Sequence, residues 1–317
     1  TVKVNATTSP AEAGPCDLVI LATKAMHVAQ AAASLKPLLK KDTPVLSIQN
    51  GLGGPDAAAS ILGRERVMVG VVGGFGASMR GPGHAHHNGM ELVRLGEFGG
   101  PITPRLKQVE SVWAGAGFRV RLFDDIDQLV WEKLLCNCAY SGPCALADCT
   151  IGEVMADPDL SRVSAACAKE VFSMAKQKGV KLGFEDPVAY AREFGSKIPN
   201  ARPSVLLDLM ARRKSEIDVI NGAIDGPVNQ AVTALVRAKE RRLGCSLSAF
   251  NGFQIYFQCQ DRITSQFPHQ FRAVYRQHPG PFSLQALGNT TANALGRARH
   301  NGHFLMKTHR RSHDLSL

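Results

Sequence analysis

The chain has 317 residues, 44% of them hydrophobic, and carries a formal net charge of +10 at pH 7. This length suits one large or two ordinary domains, and the apolar fraction is typical of a soluble globular protein. The longest apolar run near the start, residues 18–22, is far shorter than the about 20 residues needed to cross a bilayer. We therefore expect no membrane partner, and no signal peptide is recognisable.

The positive charge predicts an anionic partner, either a nucleic acid or a phosphorylated cofactor. After Gly244 the sequence has eight Lys and Arg against two Asp and Glu, so six of the ten net charges lie there. The remaining chain is only mildly basic, and it has no basic stripe interleaved with aromatic residues. We therefore expect no nucleic-acid partner.

The eight cysteines predict reduced thiols in a cytoplasmic protein. No two of them form a CxxC motif. Cys136 and Cys138 are two residues apart in a predicted helix, so their side chains point in different directions and cannot form a disulfide.

The first part of the chain predicts an α/β domain over residues 1–124. Short apolar, β-rich runs at 17–23, 44–49, 67–72, 90–95 and 118–123 are typical of buried strands. Helical patterns at 25–39 and 103–114 lie between them. This alternation predicts a parallel, doubly wound, Rossmann-like sheet.

Residues 125–244 predict an all-α domain, with helices at about 127–141, 157–179, 186–194, 204–224 and 228–243. Residues 245–317 contain seven Gln, six His and seven Phe, with no sustained period of 3.6 or 2. We interpret this segment as a tail that is either foreign to the fold or a disordered basic extension.

The sequence lacks GxGxxG, the turn by which a Rossmann-like domain binds a dinucleotide pyrophosphate. The two nearest matches begin at Gly51 and Gly74 and have Asp56 and Met79 in place of the third glycine. We interpret the sheet domain as incomplete, without its first βαβ unit. A chain without this turn is expected to bind a dinucleotide weakly, because the backbone N–H groups and helix dipole that hold the pyrophosphate are missing.

One polar stripe stands out in the predicted helix at 127–141. Lys133, Asn137 and Ser141 are spaced i, i+4 and i+8, which places them on one helix face about 6 Å apart. A lysine followed by an amide and a hydroxyl suits a site where an ammonium donates a proton to a developing alkoxide. The alternative is a solvated polar face.

A second candidate group lies in residues 203–222. Ser204 and Asp208 share a helix face, as do Glu216 and Ile220 if the helix continues. The structural alternative is that Ser204 caps the helix and Glu216 lies in a later helical turn.

Three histidines, His84, His86 and His87, suggest a metal site. No carboxylate or cysteine lies at ligand spacing, and the surrounding residues are rich in glycine. We therefore predict an exposed loop at the sheet edge and no metal.

Four segments resemble the ketopantoate reductase (2-dehydropantoate 2-reductase) family in order and spacing. They are DLVILATK at 17–24, SIQNG at 47–51, KLLCN at 133–137 and SEIDVING at 215–222. The resemblance covers about residues 1–243. It implies a Rossmann domain followed by a helical domain, NADPH as cofactor, a keto acid as substrate, and reduction of 2-dehydropantoate for pantothenate and coenzyme A synthesis. A homodimer is compatible with it.

The resemblance also implies residue roles. Lys133 matches the general acid, and Glu216 matches the acidic residue that holds the substrate hydroxyl and the lysine. The other matched positions are substrate-binding Asn137, Ser141 and Ser204, and cofactor-binding Lys24, Asn50 and Gly51.

The chain departs from the family at two places. Many members have Asn where this chain has Ser141, and about ten residues usual in the family are absent between Ile224 and Pro227. Ser141 therefore leaves open the reduction of a different 2-keto acid. A further alternative, supported mainly by the absent GxGxxG, is an inactive fragment that folds or oligomerises without turning over substrate.

Overall fold

The computed structural model describes residues 2–3, 5–7, 9–73, 76–81, 84–89, 92–247, 253–258, 270–275 and 304–307. The chain divides into two compact units. We call them the sheet unit (Thr1–Gln49, Pro55–Asp124 and Ala249–Leu317) and the helical unit (Asn50–Gly54 and Asp125–Ser248). An α/β unit with a Rossmann-like sheet and an all-α unit confirm the predicted fold class.

The sheet unit contains the strands of two sheets. The strands are β1 Val2–Lys3, β2 Asn5–Thr7, β3 Leu18–Leu21, β4 Val45–Ser47, β5 Val67–Val72, β6 Gly76–Gly81, β7 His84–Gly89, β8 Leu92–Glu97, β9 Arg119–Leu122, β10 Phe253–Gln258, β11 Gln270–Tyr275 and β12 Phe304–Lys307. The main sheet has the order β2-β11-β10-β3-β4-β5-β8-β9, and the smaller sheet has the order β1-β12-β7-β6.

Strands β3, β4 and β5 form the parallel centre of the main sheet, with Val19 opposite Val45 and Val45 opposite Val67. All residues of β3 and β4 are buried, which explains why their sequences are continuous apolar runs. The described residues of this part of the chain form four α-helices: α1 Pro10–Ala13, α2 Val28–Ala33, α3 Gly54–Leu62 and α4 Pro104–Gly115.

One strand, β8, departs from the predicted parallel arrangement. This strand pairs antiparallel with β5, whereas β9 pairs parallel with β8. The physical reason lies in the connections. A parallel pair requires a long crossover, which α4 supplies between β8 and β9, but the chain between β5 and β8 forms the antiparallel pair β6–β7 instead.

Part of residues 245–317, which we interpreted as a tail foreign to the fold or as a disordered extension, forms strands. Strand β10 pairs antiparallel with β3, with Ile255 opposite Ile20, and β11 pairs antiparallel with β10. The sequence FQIYFQ is rich in residues that favour strands, and the open edge of β3 offers it unpaired N–H and C=O groups. Strand β12 also lies in this segment. Its residues 248–252, 259–269, 276–303 and 308–317 lie outside the described residues.

The helical unit contains six helices within its described residues, and α5 packs against each of the other five. They are α5 Ile126–Ala147, α6 Ile151–Ala156, α7 Pro158–Gln177, α8 Pro187–Lys197, α9 Ser204–Met210 and α10 Pro227–Leu243. None of the helices that the structure describes is long and apolar enough to cross a membrane.

The predicted single helix over 204–224 is wrong. Helix α9 ends at Met210, Arg212 adopts a left-handed conformation with φ of 56°, and two 3-10 turns follow at Ile217–Val219 and Asn221–Ala223. A non-glycine residue in that region terminates a helix, and here the Arg213 N–H donates to the Asp208 carbonyl at 2.8 Å. Glu216 therefore does not share a helix face with Ile220.

The short connection between Ile224 and Pro227 leads directly into α10, whose first N–H groups have no partner within the helix. The Glu170 carboxylate of α7 supplies one. It accepts from the Val228 N–H at 2.8 Å, the Asn229 N–H at 2.9 Å and the Asn229 side-chain amide at 2.7 Å. A carboxylate at a helix N-terminus also interacts favourably with the helix dipole.

Replacing Glu170 with Ala should lower the free energy of unfolding by about 1.5–3 kcal/mol, the usual range for hydrogen bonds to a charged group. Glu170→Gln should cost less, because an amide oxygen can still accept a bond. Denaturant unfolding of both variants measures this. Glu193→Ala is the control, because Glu193 pairs with Lys197 on exposed helix surface. Equal stability of the Glu170→Ala and Glu193→Ala variants would contradict the capping role.

Candidate active site

The polar stripe of α5 lies on a helix that is otherwise mostly buried. Lys133 and Asn137 are half-buried, and Ser141 is buried with 3% of its surface exposed. The helix begins after Asp125, whose carboxylate accepts the Gln128 N–H. A solvated face, the structural alternative, does not describe Ser141, because a hydroxyl at that depth is removed from bulk water.

The buried thiols beside the stripe are not acid–base groups at neutral pH. Burial, with a contribution from the negative charge of Glu132, raises the pKa of the Cys136 thiol to about 12. Burial also raises the pKa of Cys138 well above its ordinary value. A thiol that stays protonated at neutral pH is a poor nucleophile. Lys133 is the ionisable member of its stripe.

Ser204 is the first residue of α9, which packs against α5. Its side chain is exposed, and Pro203 occupies the N-cap position with no side-chain cap hydrogen bond. The alternative in which Ser204 caps the helix is therefore wrong. An exposed hydroxyl at this position is available to a ligand, unlike one used for capping.

Glu216 lies in the turn between α9 and the 3-10 turn at Ile217–Val219, and only 7% of its surface is exposed. The residues before it are held by one local and one long-range bond. Arg213 forms a salt bridge with Asp208 at 2.9 Å, and the Lys214 N–H donates to the Ser246 carbonyl at 2.8 Å. This turn gives Glu216 its position without a helix.

The segment Asn50–Gly54 belongs to the helical unit, although it lies between two stretches of the sheet unit. The Leu52 N–H donates to the Val219 carbonyl at 2.9 Å. Gly51 has φ of +77°, and a Cβ added there would lie 2.2 Å from the Val219 oxygen. Only glycine permits this close approach. The loop that carries Asn50 therefore contacts Val219, three residues after Glu216.

Lys24 lies in the sheet unit, just after the carboxyl end of β3. Gln49 links that end to the end of β4, because its side-chain amide donates to the Leu21 carbonyl at 2.7 Å and the Thr23 carbonyl at 3.2 Å. Ligands of doubly wound sheets bind at the carboxyl ends of parallel strands. Lys24 therefore occupies a position suited to a ligand.

The site residues predicted from the sequence thus fall into two groups. The structure places Lys24 alone in the sheet unit. It places the other seven in the helical unit: Asn50, Gly51, Lys133, Asn137, Ser141, Ser204 and Glu216.

The histidine cluster is not the loop we predicted, because His84–Gly89 forms strand β7, paired with β6. Among the residues whose side chains the structure describes, no three His, Cys, Asp or Glu side chains are grouped as metal ligands.

Two acidic residues escaped the sequence analysis. Glu240 accepts two hydrogen bonds from Ser215, next to Glu216, and Glu170 caps α10. One signal for Glu240 was available: it is the single acid among basic residues in the last turns of its helix, at the spacing of the buried Val232 and Val236.

Two family models match the chain. The model described as "Ketopantoate reductase PanE/ApbA" matches residues 1–100, and the one described as "Ketopantoate reductase PanE/ApbA C terminal" matches residues 125–240. Together they cover more than half of the chain.

Individual relatives agree with the family models. The 2-dehydropantoate 2-reductase of Streptococcus pyogenes serotype M1 is 31% identical over 234 residues, which are 71% of this chain and 76% of that protein. The crystal structure of a PanE/ApbA family ketopantoate reductase from Ralstonia eutropha is 30% identical, with a TM-score of 0.67 over 74% of this chain and 79% of that one.

A solved D-mandelate dehydrogenase, in a ternary structure with NADH and anilino(oxo)acetate, is 26% identical. Its TM-score is 0.66 over 73% of this chain and 77% of that one. The two family models, the relative and the shared fold agree with the resemblance carried by the four sequence segments, and the chain belongs to the ketopantoate reductase family.

Proposed function

We propose that this chain is an NADPH-dependent reductase that converts 2-dehydropantoate to pantoate, a step towards pantothenate and coenzyme A. One observation carries the proposal. A half-buried lysine, an amide and a buried hydroxyl lie on one face of α5, in the same unit as the buried carboxylate of Glu216. Because the chain belongs to the ketopantoate reductase family, we interpret these side chains as groups that bind and protonate a keto acid.

The reduction needs a proton donor at the ketone oxygen. When bound, the nicotinamide supplies the hydride to the carbonyl carbon. Negative charge then develops on the oxygen, and the Lys133 ammonium donates a proton to it. The amide of Asn137 and the hydroxyl of Ser141 orient the substrate along the same helix face. Glu216 holds the substrate hydroxyl, and its negative charge favours the protonated lysine.

The sheet unit has polar groups suited to binding one end of a dinucleotide cofactor. The hydroxyl of Thr23 is buried at the carboxyl end of β3 with no hydrogen-bond partner among the described residues, and Lys24 follows it. An unpaired buried hydroxyl beside a cation suits the ribose and nicotinamide end of the cofactor. We assign Lys24 to contacts with that end, and the family resemblance makes Asn50 a further cofactor-binding residue.

A second 2-keto acid is the alternative substrate. Ser141 stands where many family members have Asn, and the similar D-mandelate dehydrogenase was solved with anilino(oxo)acetate. NADPH oxidation assayed with 2-dehydropantoate and with aromatic 2-keto acids separates the two. Oxidation with neither substrate, at any NADPH concentration, would favour an inactive chain.

We also place the protein in the cytoplasm and expect it to form a homodimer. The seven cysteines in the described ranges are free thiols, as in proteins of reducing compartments. A solved ketopantoate reductase from Staphylococcus aureus is named dimeric, and it shares this fold at 20% identity and a TM-score of 0.62. Light scattering of the purified protein tests the dimer.

Replacing Lys133 with Ala should lower kcat by about 10²- to 10⁴-fold, the scale for a positioned acid, with little change in the KM for NADPH. The measurements are steady-state kinetics at saturating NADPH and the melting temperature. Lys169→Ala is the control, because Lys169 is an exposed lysine on α7. Near-normal turnover of Lys133→Ala, or a loss explained by unfolding, would remove Lys133 from the mechanism.

Replacing Gly51 with Ala should disrupt the Leu52–Val219 hydrogen bond and displace Asn50, because the new Cβ would lie 2.2 Å from the Val219 oxygen. We expect kcat/KM for NADPH to fall at least about tenfold, equivalent to about 1.4 kcal/mol. Gly53→Ala is a matched control: Gly53 has φ of +87°, but an added Cβ meets nothing within 4 Å. Equal losses in the two variants would show that backbone strain, not the contact with Val219, is responsible.

A further inference from the structure

Glu240 is a buried carboxylate in the penultimate turn of α10, with 6% of its surface exposed. It continues the buried face formed by Val232 and Val236 at i−8 and i−4. A carboxylate on an otherwise apolar face is costly unless hydrogen bonds compensate for its lost hydration. The side chains of Arg241 and Arg242 do not fill this role, because both residues are exposed.

The compensating partner is Ser215. The Ser215 N–H donates to Glu240 Oε1 at 2.8 Å, and the Ser215 hydroxyl donates to the same oxygen at 2.6 Å. The Ser215 hydroxyl oxygen in turn accepts the Ile217 N–H at 3.3 Å. These bonds fix the residues on both sides of Glu216, and hydrogen bonds to a carboxylate are stronger than those between neutral groups.

The C-terminal end of α10 also holds the backbone before Glu216 through main-chain hydrogen bonds. The Cys245 N–H donates to the Glu240 carbonyl at 2.9 Å, and the next residue, Ser246, accepts the Lys214 N–H at 2.8 Å. Ser215 itself is completely buried. The backbone before Glu216 is therefore attached to the end of α10 by main-chain bonds and by the Glu240 carboxylate.

We propose that Glu240 is a positioning residue for substrate binding. It holds Ser215 and Ile217 so that the intervening Glu216 presents its carboxylate to the substrate hydroxyl in one orientation. The proposal rests on the proposed function, which assigns Glu216 to that hydroxyl. A purely apolar residue at 240 would preserve the packing of α10 but leave both Ser215 donors unsatisfied.

The test compares Glu240→Gln, Glu240→Leu and Ser215→Ala with Glu216→Gln in the full chain. Two quantities are measured: the KM for 2-dehydropantoate at saturating NADPH, and the Kd of pantoate by calorimetry. Glu240→Leu should weaken both by about tenfold or more, the effect of losing one well-placed contact. Glu240→Gln should recover most of the affinity, because its amide oxygen can accept both Ser215 bonds. Ser215→Ala, which retains the backbone bond, should have an intermediate effect.

A merely structural role predicts a different pattern: Glu240→Leu would lower the melting temperature but leave the Kd of pantoate unchanged in the folded protein. That result would overturn the proposal, as would a Glu240→Gln variant as impaired as Glu240→Leu. If Glu240→Leu does not fold, the milder Ser215→Ala variant decides, and an unchanged Kd there is equally contrary. An unchanged Kd in Glu216→Gln would instead refute the role of Glu216 in the proposed function. Normal Glu240→Leu affinity beside weakened Glu216→Gln affinity would refute this inference alone.

Discussion

The burial of α5 is the constraint on which the helical unit depends. This helix packs against the other five described helices of its unit, and side chains from Trp131 to Val236 form one continuous core around it. A helix so enclosed has little room for polar residues. The stripe that begins at Lys133 and reaches Ser141 is therefore a departure from the apolar pattern that packing favours, which is how a binding site within a core is expected to look.

The ends of the helices in this core are satisfied by charged side chains from distant parts of the chain. Lys239 of α10 donates to the carbonyls of Ala145 at 2.8 Å and Leu146 at 3.2 Å, at the end of α5, and pairs with Asp148 at 2.7 Å. Glu170 of α7 accepts hydrogen bonds from the free N–H groups at the start of α10. Each charge lies at the helix end where the helix dipole favours it, so α10 both receives a cap and supplies one. Because the connection before α10 is short, the carboxylate of Glu170 accepts the hydrogen bonds of the first turn of α10.

Much of this organisation was predictable because it is local. The apolar run at Leu18–Leu21, the cap and proline that open Pro158–Gln177, and the spacing of Lys133 and Asn137 all follow from neighbouring residues. The failures are non-local. The turn after Met210 is held by the hydrogen bond from Lys214 to Ser246, and strand β10 pairs with a strand more than 200 residues away. Nothing in the local sequence encodes those partners.

The candidate site likewise depends partly on local spacing and partly on contacts between distant residues. The spacing on α5 fixes where Lys133 stands relative to Asn137, but Glu216 lies in no regular helix that could position it. Its place is set by Glu240 acting through Ser215 on one side, while the carbonyl of Val219, three residues later, receives the Leu52 N–H. The loop that carries Asn50 is thus attached to the same short segment as Glu216. A rearrangement of residues 215–219 would therefore disturb Glu216 and Asn50 together, although the two lie far apart in the sequence.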